Sequence, residues 1–243
     1  MRAAILALPA LMLASSCGLA EDKSANATAS TTRNFALSGF DKVSLRGSDN
    51  VSVITGKDFS IVATGPESEL EMLEIEVDDG VLKIGRKSRS SWYIGWSRKM
   101  ADDVRITVTM PSIRGASLAG SGDLTVDTAA TDTFKASLAG SGDLKIRMLK
   151  AQSADLSLAG SGDIDVSGTV GTIEVSGAGS GDVTAGGLVA ETAKVALAGS
   201  GNITARVTGS ASVSVMGSGD VTITGTDKCK TSRIGSGNIS CKV

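Results

Sequence analysis

The chain has 243 residues, enough for one elongated domain, and its 24 basic and 26 acidic side chains leave a formal net charge of −2. This balance provides no overall basic field and argues against a nucleic-acid partner. The chain contains no histidine, the most frequent general base in enzymes. Its 30 glycines recur at regular intervals and therefore indicate repeated turns, not disorder.

Residues 1–17 predict an export signal. Arg2 provides a short positive start, and the apolar stretch that follows it is too short to cross a membrane. Residues 14–17 read Ala-Ser-Ser-Cys and resemble a bacterial lipobox, in which Cys17 would be lipid-modified and begin the mature protein. By the same resemblance, Gly18 after the cysteine favours the outer membrane. The alternative is cleavage after Ala20, which would give a soluble periplasmic or secreted protein.

Residues 18–33 predict a flexible tether, because they are rich in Ser, Thr, Ala and Asn and lack an apolar period. Residues 34–114 predict degenerate coils of the architecture that becomes regular later in the chain. Within them, Gly47-Ser48-Asp49-Asn50 reads as a diverged copy of a tetrad that recurs after residue 115. A short helix is predicted over 67–73, and strands over 75–77, 81–84 and 104–110.

The segment 86–99 differs in composition from the rest of the chain. It holds both tryptophans and the only tyrosine of the chain, and basic residues surround them. One interpretation is a loop whose aromatic side chains pack on the solenoid. The other is a contact patch, because exposed aromatic rings beside cations suit glycans, acidic partners or a lipid surface. The residues of this candidate contact patch are Trp92, Tyr93, Trp96, Arg89 and Arg98.

A tetrad of sequence Gly-Ser-Gly-Asp or Gly-Ser-Gly-Asn occurs seven times in residues 115–243, at steps of 18 to 20 residues. A regular step of this size indicates one structural unit stacked on copies of itself. The first and last residues of the tetrads are Gly120 and Asp123, Gly140 and Asp143, Gly160 and Asp163, Gly179 and Asp182, Gly199 and Asn202, Gly217 and Asp220, and Gly235 and Asn238.

Apolar and polar residues alternate on both sides of each tetrad, as in the column that contains Leu124, Leu144 and Ile164. Such alternation is typical of strands with one buried face, so each unit reads as strand, tight turn, strand and a looser return. A unit this short cannot bury its apolar face alone, and stacked units must share one interior. We therefore predict an all-β fold, a right-handed parallel β-helix (β-solenoid) with about 18–20 residues per repeat.

The tetrads are predicted to be corners, because glycine accepts positive φ angles and Asp or Asn bonds the backbone in turns. The stacked Asp side chains leave a second interpretation open, in which bound cations relieve the repulsion between like charges. A calcium β-roll is disfavoured, since its glycine-rich turns come about every nine residues. No such turn lies midway between tetrads at 129–132.

Cys229 and Cys241 lie in the last coil, in columns that point inward. Removal of Cys17 from the count leaves this even pair, and an exported protein retains its disulfides. We predict a bond between them that closes the open end of the stack, where solenoids need a special cap.

The seven tetrads, the diverged copy at Gly47 and the Phe-x-x-Val start at Phe40 resemble the bacterial DUF2807 family, described as "putative auto-transporter adhesin, head GIN domain". The resemblance covers roughly residues 33–243. It implies a head GIN-like β-helical domain over 34–243 and an adhesin-like role, and it provides no catalytic residues.

These observations favour a non-catalytic exported protein of the cell envelope, a lipid-anchored adhesion or structural module that uses no cofactor or metal. Its expected partners are the membrane, through the anchor, and a glycan or an envelope or surface protein. The alternative is a polysaccharide-binding or polysaccharide-active β-helix. An enzyme of that class needs carboxylates that converge in a cleft, whereas the repeats place one acid per coil. Ice binding by the threonine row that starts at Thr125 is a weaker third interpretation, because Lys145 and Asp165 interrupt the row.

Overall fold

Strands make up most of the computed structural model, which describes residues 30–56, 58–87 and 104–243. The strands are β1 (Ser30–Phe35), β2 (Lys42–Gly47), β3 (Asn50–Thr55), β4 (Ser60–Pro66), β5 (Leu73–Asp78), β6 (Val81–Arg86), β7 (Arg105–Met110), β8 (Gly115–Gly120), β9 (Asp123–Gly140), β10 (Asp143–Gly160), β11 (Asp163–Gly179), β12 (Val183–Gly199), β13 (Ile203–Gly217), β14 (Val221–Thr224), β15 (Cys229–Gly235) and β16 (Ile239–Lys242). A short helix, α1 (Glu67–Leu70), follows β4.

The long strands β9 to β13 stack in parallel, one strand per coil. Leu144 of β10 pairs with Leu124 on one side and with Ile164 on the other. All three side chains are fully buried, so the apolar column forms a continuous ladder inside the stack. The fold is a β-solenoid of about 6 turns, which confirms the all-β parallel architecture predicted from the tetrad spacing.

Each long strand bends and contributes to two sheets. The buried side chains of β9 follow a spacing of two residues that breaks on both sides of Ala129. Because side chains alternate across a straight strand, this break marks a turn of the chain. We call residues 123–127 and their equivalents the post-tetrad sheet, and residues 133–139 and their equivalents the pre-tetrad sheet.

The return between the two sheets is more regular than predicted. In β9 and β10 it is paired as a strand, with Met148 opposite Thr128 and Ala151 opposite Thr131. Stacking lets the return satisfy its backbone groups in neighbouring coils, as the sheets do. Differences in coil length are absorbed here by bulges, and the β10–β11 register shifts just after Ile146.

The amino-terminal strands close one end of the stack. β2 pairs with β8 and β3 with β9, in a register that sets Gly47 opposite Gly120. The diverged tetrad is therefore a corner of the regular stack, as predicted. Beyond it, β4 pairs antiparallel with β1 and β7, and β5 pairs antiparallel with β6. These strands and α1, whose Leu70 is buried, replace further coils.

Strand β1 begins at Ser30, inside the segment predicted to be a tether. It pairs antiparallel with β4, from Ser30 opposite Pro66 to Phe35 opposite Ile61. Five of its six side chains are exposed, which explains why the sequence shows no apolar period there. Backbone hydrogen bonds to β4 order this strand, so residues 30–33 belong to the folded domain and not to the tether.

A disulfide joins Cys229 of β15 to Cys241 of β16, with the two Cα atoms 6.5 Å apart. The predicted bond is therefore confirmed. Both residues are partly buried against the core, less deeply than their inward columns suggest, because no further coil covers them. The bond links the pre-tetrad sheet to the post-tetrad sheet in the last coil.

Removal of this bond should loosen the end of the solenoid and leave its centre intact. The double variant Cys229→Ser/Cys241→Ser is expected to lose about 3 kcal/mol of stability in the last coil, the entropy of closing so short a loop. Because each coil contacts only its neighbours, the loss should stay local. Hydrogen exchange should accelerate in β15 and β16 and stay slow in β10. Unchanged protection of β15 and β16 would contradict this role.

Candidate functional site

The tetrads form one continuous corner along the solenoid. In each coil the first glycine carbonyl accepts two backbone N–H groups from the tetrad of the next coil. The Gly140 carbonyl, for example, accepts the amides of Ser161 at 2.9 Å and Gly162 at 3.1 Å. Gly160 has a φ of +135°, and a Cβ placed on it would lie 2.1 Å from the Gly140 oxygen. The corner thus requires glycine both for its backbone angle and for close contact between coils.

From the third tetrad to the sixth, the Asp or Asn side chain bonds the backbone of the next coil. Asp163 Oδ1 accepts the amide N–H of Asp182 at 2.9 Å, and Asp182 Oδ1 accepts that of Asn202 at 2.7 Å. Asp220 Oδ1 accepts the amide of Asn238 at 2.7 Å. These bonds support the turn interpretation of the row, since each donor favours a charged acceptor. Within the described part of the chain, no three His, Cys, Asp or Glu side chains form a group that could hold a metal ion.

Calcium should therefore have little effect on stability. At millimolar calcium we expect a nearly unchanged melting temperature, because the carboxylates of Asp163, Asp182 and Asp220 already accept backbone amides and the described residues offer no ready cage. Differential scanning fluorimetry with and without a chelator measures this. An increase of about ten degrees or more, the response to a tightly bound ligand, would favour the cation interpretation.

A buried ion cluster closes the amino-terminal end of the corner. Asp49 stands where the regular tetrads have their second glycine, and its side chain is only 2 % exposed. Arg86 of β6 donates Nε to Asp49 Oδ2 at 2.9 Å and Nη2 to Oδ1 at 2.5 Å, and it also bonds Glu69 of α1. The bond to Asp49, followed by that to Glu69, raises the pKa of Arg86 above its ordinary value. The cluster therefore fastens α1 and β6 to the first corner.

The outer surface of the pre-tetrad sheet carries a large open hollow. It is a groove of about 830 Å³ that crosses the coils from Thr133 to Lys230. This volume lies within the range of ligand sites in proteins. A second hollow of about 430 Å³ lies on the same sheet nearer the tetrads, where the outward residues are mostly Ser and Ala. We call the first hollow the outer groove.

Three rows of residues line the outer groove, and each of the coils β10, β11 and β12 adds one member to each row. The hydroxyl row is Thr133, Ser153, Thr172, Thr192 and Ser210. The floor row is Ala154, Ile173, Ala193 and Ala211. The acidic and basic row that follows is Asp155, Glu174 and Lys194, with Lys135 beside it in the preceding coil. The stacked register thus repeats the same surface chemistry along the solenoid.

The charges of the outer groove are paired across neighbouring coils. Lys135 Nζ lies 3.4 Å from Asp155 Oδ2, and Lys194 Nζ lies 2.6 Å from Glu174 Oε1. The bond to Glu174 raises the pKa of Lys194. Opposite charges placed on adjacent strands stabilise the pairing modestly, and here they also cancel along the centre of the groove.

The groove was not among the predicted sites, which were the tetrads, the cysteines and the contact patch. The hydroxyl row was readable as a Thr or Ser seven residues before the first glycine of five of the seven tetrads, for example Thr133 before Gly140. The concave shape of the groove depends on the bend near Ala129 and could not be predicted from the sequence. The candidate contact patch at 89–98 and Cys17 both lie outside the described residues, and their roles remain predictions.

A solenoid with a long regular groove on one sheet belongs to the class of repeat proteins that present extended binding surfaces. The chain belongs to the DUF2807 family, described as "Putative auto-transporter adhesin, head GIN domain", whose model matches residues 39–226. This match confirms the resemblance noted from the tetrads. In residues 30–56, 58–87 and 104–243, no helix has the length and apolar character needed to cross a membrane. The comparison with curated proteins gives no match.

Several solved structures share the fold. A "putative adhesin" from Bacteroides fragilis is 24 % identical, with a TM-score of 0.76 over 88 % of this chain and 97 % of that one. A "putative lipid binding protein" from Parabacteroides distasonis is 25 % identical, with a TM-score of 0.69 over 88 % and 96 %. A "putative adhesin" from Parabacteroides merdae is 16 % identical, with a TM-score of 0.68 over 88 % and 96 %.

Proposed function

We propose that the protein is a non-catalytic, exported module of the cell envelope that adheres through the outer groove. The observation that supports this most is the groove itself, an extended surface that crosses the coils and repeats the three rows in β10, β11 and β12. The groove crosses six coils, and five steps of about 4.8 Å give a surface about 24 Å long, comparable to the extent of specific binding interfaces. The family description and the related solved structures agree with an adhesin-like role.

The chemistry of the groove supports binding over catalysis. Its carboxylates Asp155 and Glu174 are each paired with a lysine. A glycosidase needs one protonated acid and one ionised partner placed on either side of a bond. Asp155 and Glu174 lie on neighbouring coils of one sheet and each is held by a lysine, and this pairing suits a surface that only binds.

Anchoring at Cys17 completes the proposal and explains how the groove would be displayed. A lipid-modified Cys17 followed by a tether up to residue 29 would hold the solenoid near the outer membrane. Mass spectrometry of the mature protein should find a lipid-modified Cys17 as its first residue. A mature protein that begins at Glu21 would exclude the anchor, and the domain would then be soluble in the periplasm or secreted. Protease shaving of intact cells separates the periplasmic from the surface-exposed face.

The adhesive role is tested with beads that carry the purified protein, presented to cells, matrix proteins and glycans. Thr172→Arg, in the hydroxyl row, should reduce attachment at least about tenfold by placing an unpaired charge in the groove. Thr184→Arg is the matched control, an exposed threonine on the post-tetrad sheet. Circular dichroism should show both variants folded. The outer groove would be excluded as the adhesive surface if both variants lost attachment equally. It would also be excluded if neither the wild type nor the variants attached.

A further inference from the structure

The outer groove presents similar residues in successive coils, so only a ligand that also repeats along its length can contact all of them. Thr133, Ser153 and Thr172 occupy the same position in successive coils, as do the floor residues Ala154 and Ile173. Each step along the solenoid is about 4.8 Å, the spacing of paired strands. A compact ligand would meet one or two of these steps. A linear polymer that lies along the solenoid axis would meet the three rows in several successive coils.

The charges indicate a ligand without net charge. Among the residues that line the groove, the acids Asp155, Glu174 and Asp227 balance three lysines. In the central coils the carboxylates are already paired with Lys135 and Lys194. An acidic polymer would meet the carboxylates of Asp155 and Glu174, and a basic polymer would meet Lys135 and Lys194. Electrostatic attraction in the central coils therefore favours neither an anionic nor a cationic ligand.

The side chains of the groove also suit a polyhydroxylated ligand better than a folded protein. The cores of protein interfaces rely on aromatic, Met and Arg side chains, and none of these types is found among the described residues that line this groove. The hydroxyl row can donate and accept hydrogen bonds, as sugar hydroxyls can. Ala154, Ala193 and Ala211 are buried with their side chains on the core side, so the bottom of the groove is the sheet backbone between two outward rows, a flat surface that a sugar ring can lie against.

We infer that the outer groove binds a neutral linear polysaccharide, which lies along the solenoid axis and crosses several coils. This inference rests on the proposed function and specifies its ligand. The hydroxyl row and the paired charges bond the sugar hydroxyls, and the rings lie along the sheet between these two rows. Affinity should accordingly increase with chain length until the ligand spans the groove, because each added unit meets another coil.

The test is isothermal titration of the full chain with neutral oligosaccharides of glucose, mannose and xylose, from two to eight units long. Polygalacturonate and alginate serve as acidic probes. The double variant Thr172→Val/Thr192→Val removes two hydroxyls of the groove with little change of shape. It should weaken binding of the longest bound oligosaccharide about tenfold, the effect of losing one to two net hydrogen bonds. Thr184→Val/Thr204→Val, on the post-tetrad sheet, should bind like the wild type.

Length-dependent binding of a neutral oligosaccharide that the groove variant weakens supports the inference. Binding of the acidic probes alone, with strong salt dependence, overturns it. Attachment to a matrix or envelope protein that Thr172→Arg abolishes, without binding of any oligosaccharide, also overturns it and leaves the proposed adhesive function intact. Absence of attachment to any cell, protein or glycan surface removes the proposed function itself.

Discussion

Replacement of Gly160 by alanine is expected to unfold the centre of the solenoid. Gly160 has a φ of +135°, an angle that residues with a Cβ rarely adopt, and the new Cβ would lie 2.1 Å from the carbonyl oxygen of Gly140. The neighbour is backbone on a stacked coil and cannot move without disturbing its own hydrogen bonds. We expect Gly160→Ala to lose at least about 4 kcal/mol of stability, measured by urea denaturation followed by circular dichroism.

Gly47 provides the matched control, because it occupies the same corner at the first coil. Its φ is +125°, but nothing lies within 4 Å of the position of its Cβ. Gly47→Ala should therefore lower the free energy of unfolding only by the strain of its backbone, about 1–3 kcal/mol. The difference between the two variants measures the contact between stacked coils. Equal losses in both would show that the backbone angle alone explains the glycines.

Removal of Arg86 should have the second largest effect. The side chain of Asp49 is 2 % exposed and receives a two-pronged bond from Arg86. Arg86→Met would leave this carboxylate buried without its cation, which we expect to cost about 3 kcal/mol in the free energy of unfolding. The variant Asp49→Ala/Arg86→Met removes both charges and should lose less than Arg86→Met alone.

Lys83 is the control for this prediction, since it lies on the same strand and pairs with the exposed Asp78. Exposed ion pairs contribute little to stability, so Lys83→Met should unfold at the same urea concentration as the wild type. If Arg86→Met and Lys83→Met behave alike, the buried cluster does not hold the amino-terminal end of the solenoid.

The regular part of the fold could be predicted because every coil repeats the same local signals. Glycine corners and alternating apolar columns fix the register from Leu124 onward, and the inward positions of Cys229 and Cys241 predict their bond. The strand β1 could not be predicted, because backbone pairing with β4 orders it and its side chains are exposed. The pair Asp49–Arg86 joins residues 37 positions apart and follows no repeat.

The chemistry of the candidate site could be predicted from the sequence, but its shape could not. The chemistry of the outer groove follows from sequence, since each coil contributes a hydroxyl such as Thr172 and a charge such as Glu174. Its concave shape follows from where each coil bends between its two sheets, and bulges that absorb unequal coil lengths influence that bend. Such bends depend on stacking and carry no residue pattern of their own.

The in-register stack is the claim on which the corner, the groove and the proposed ligand all depend. Thr125 and Thr222 belong to one outward row and are five coils apart, through Lys145, Asp165, Thr184 and Thr204. Spin labels carried on unnatural residues at Thr125 and Thr222 allow pulsed electron resonance to measure this separation without altering the native cysteines. Five steps of about 4.8 Å predict a distance near 24 Å, and labels at Thr125 and Thr184 predict about 14 Å. Distances that do not increase in proportion to the number of coils would contradict the stack.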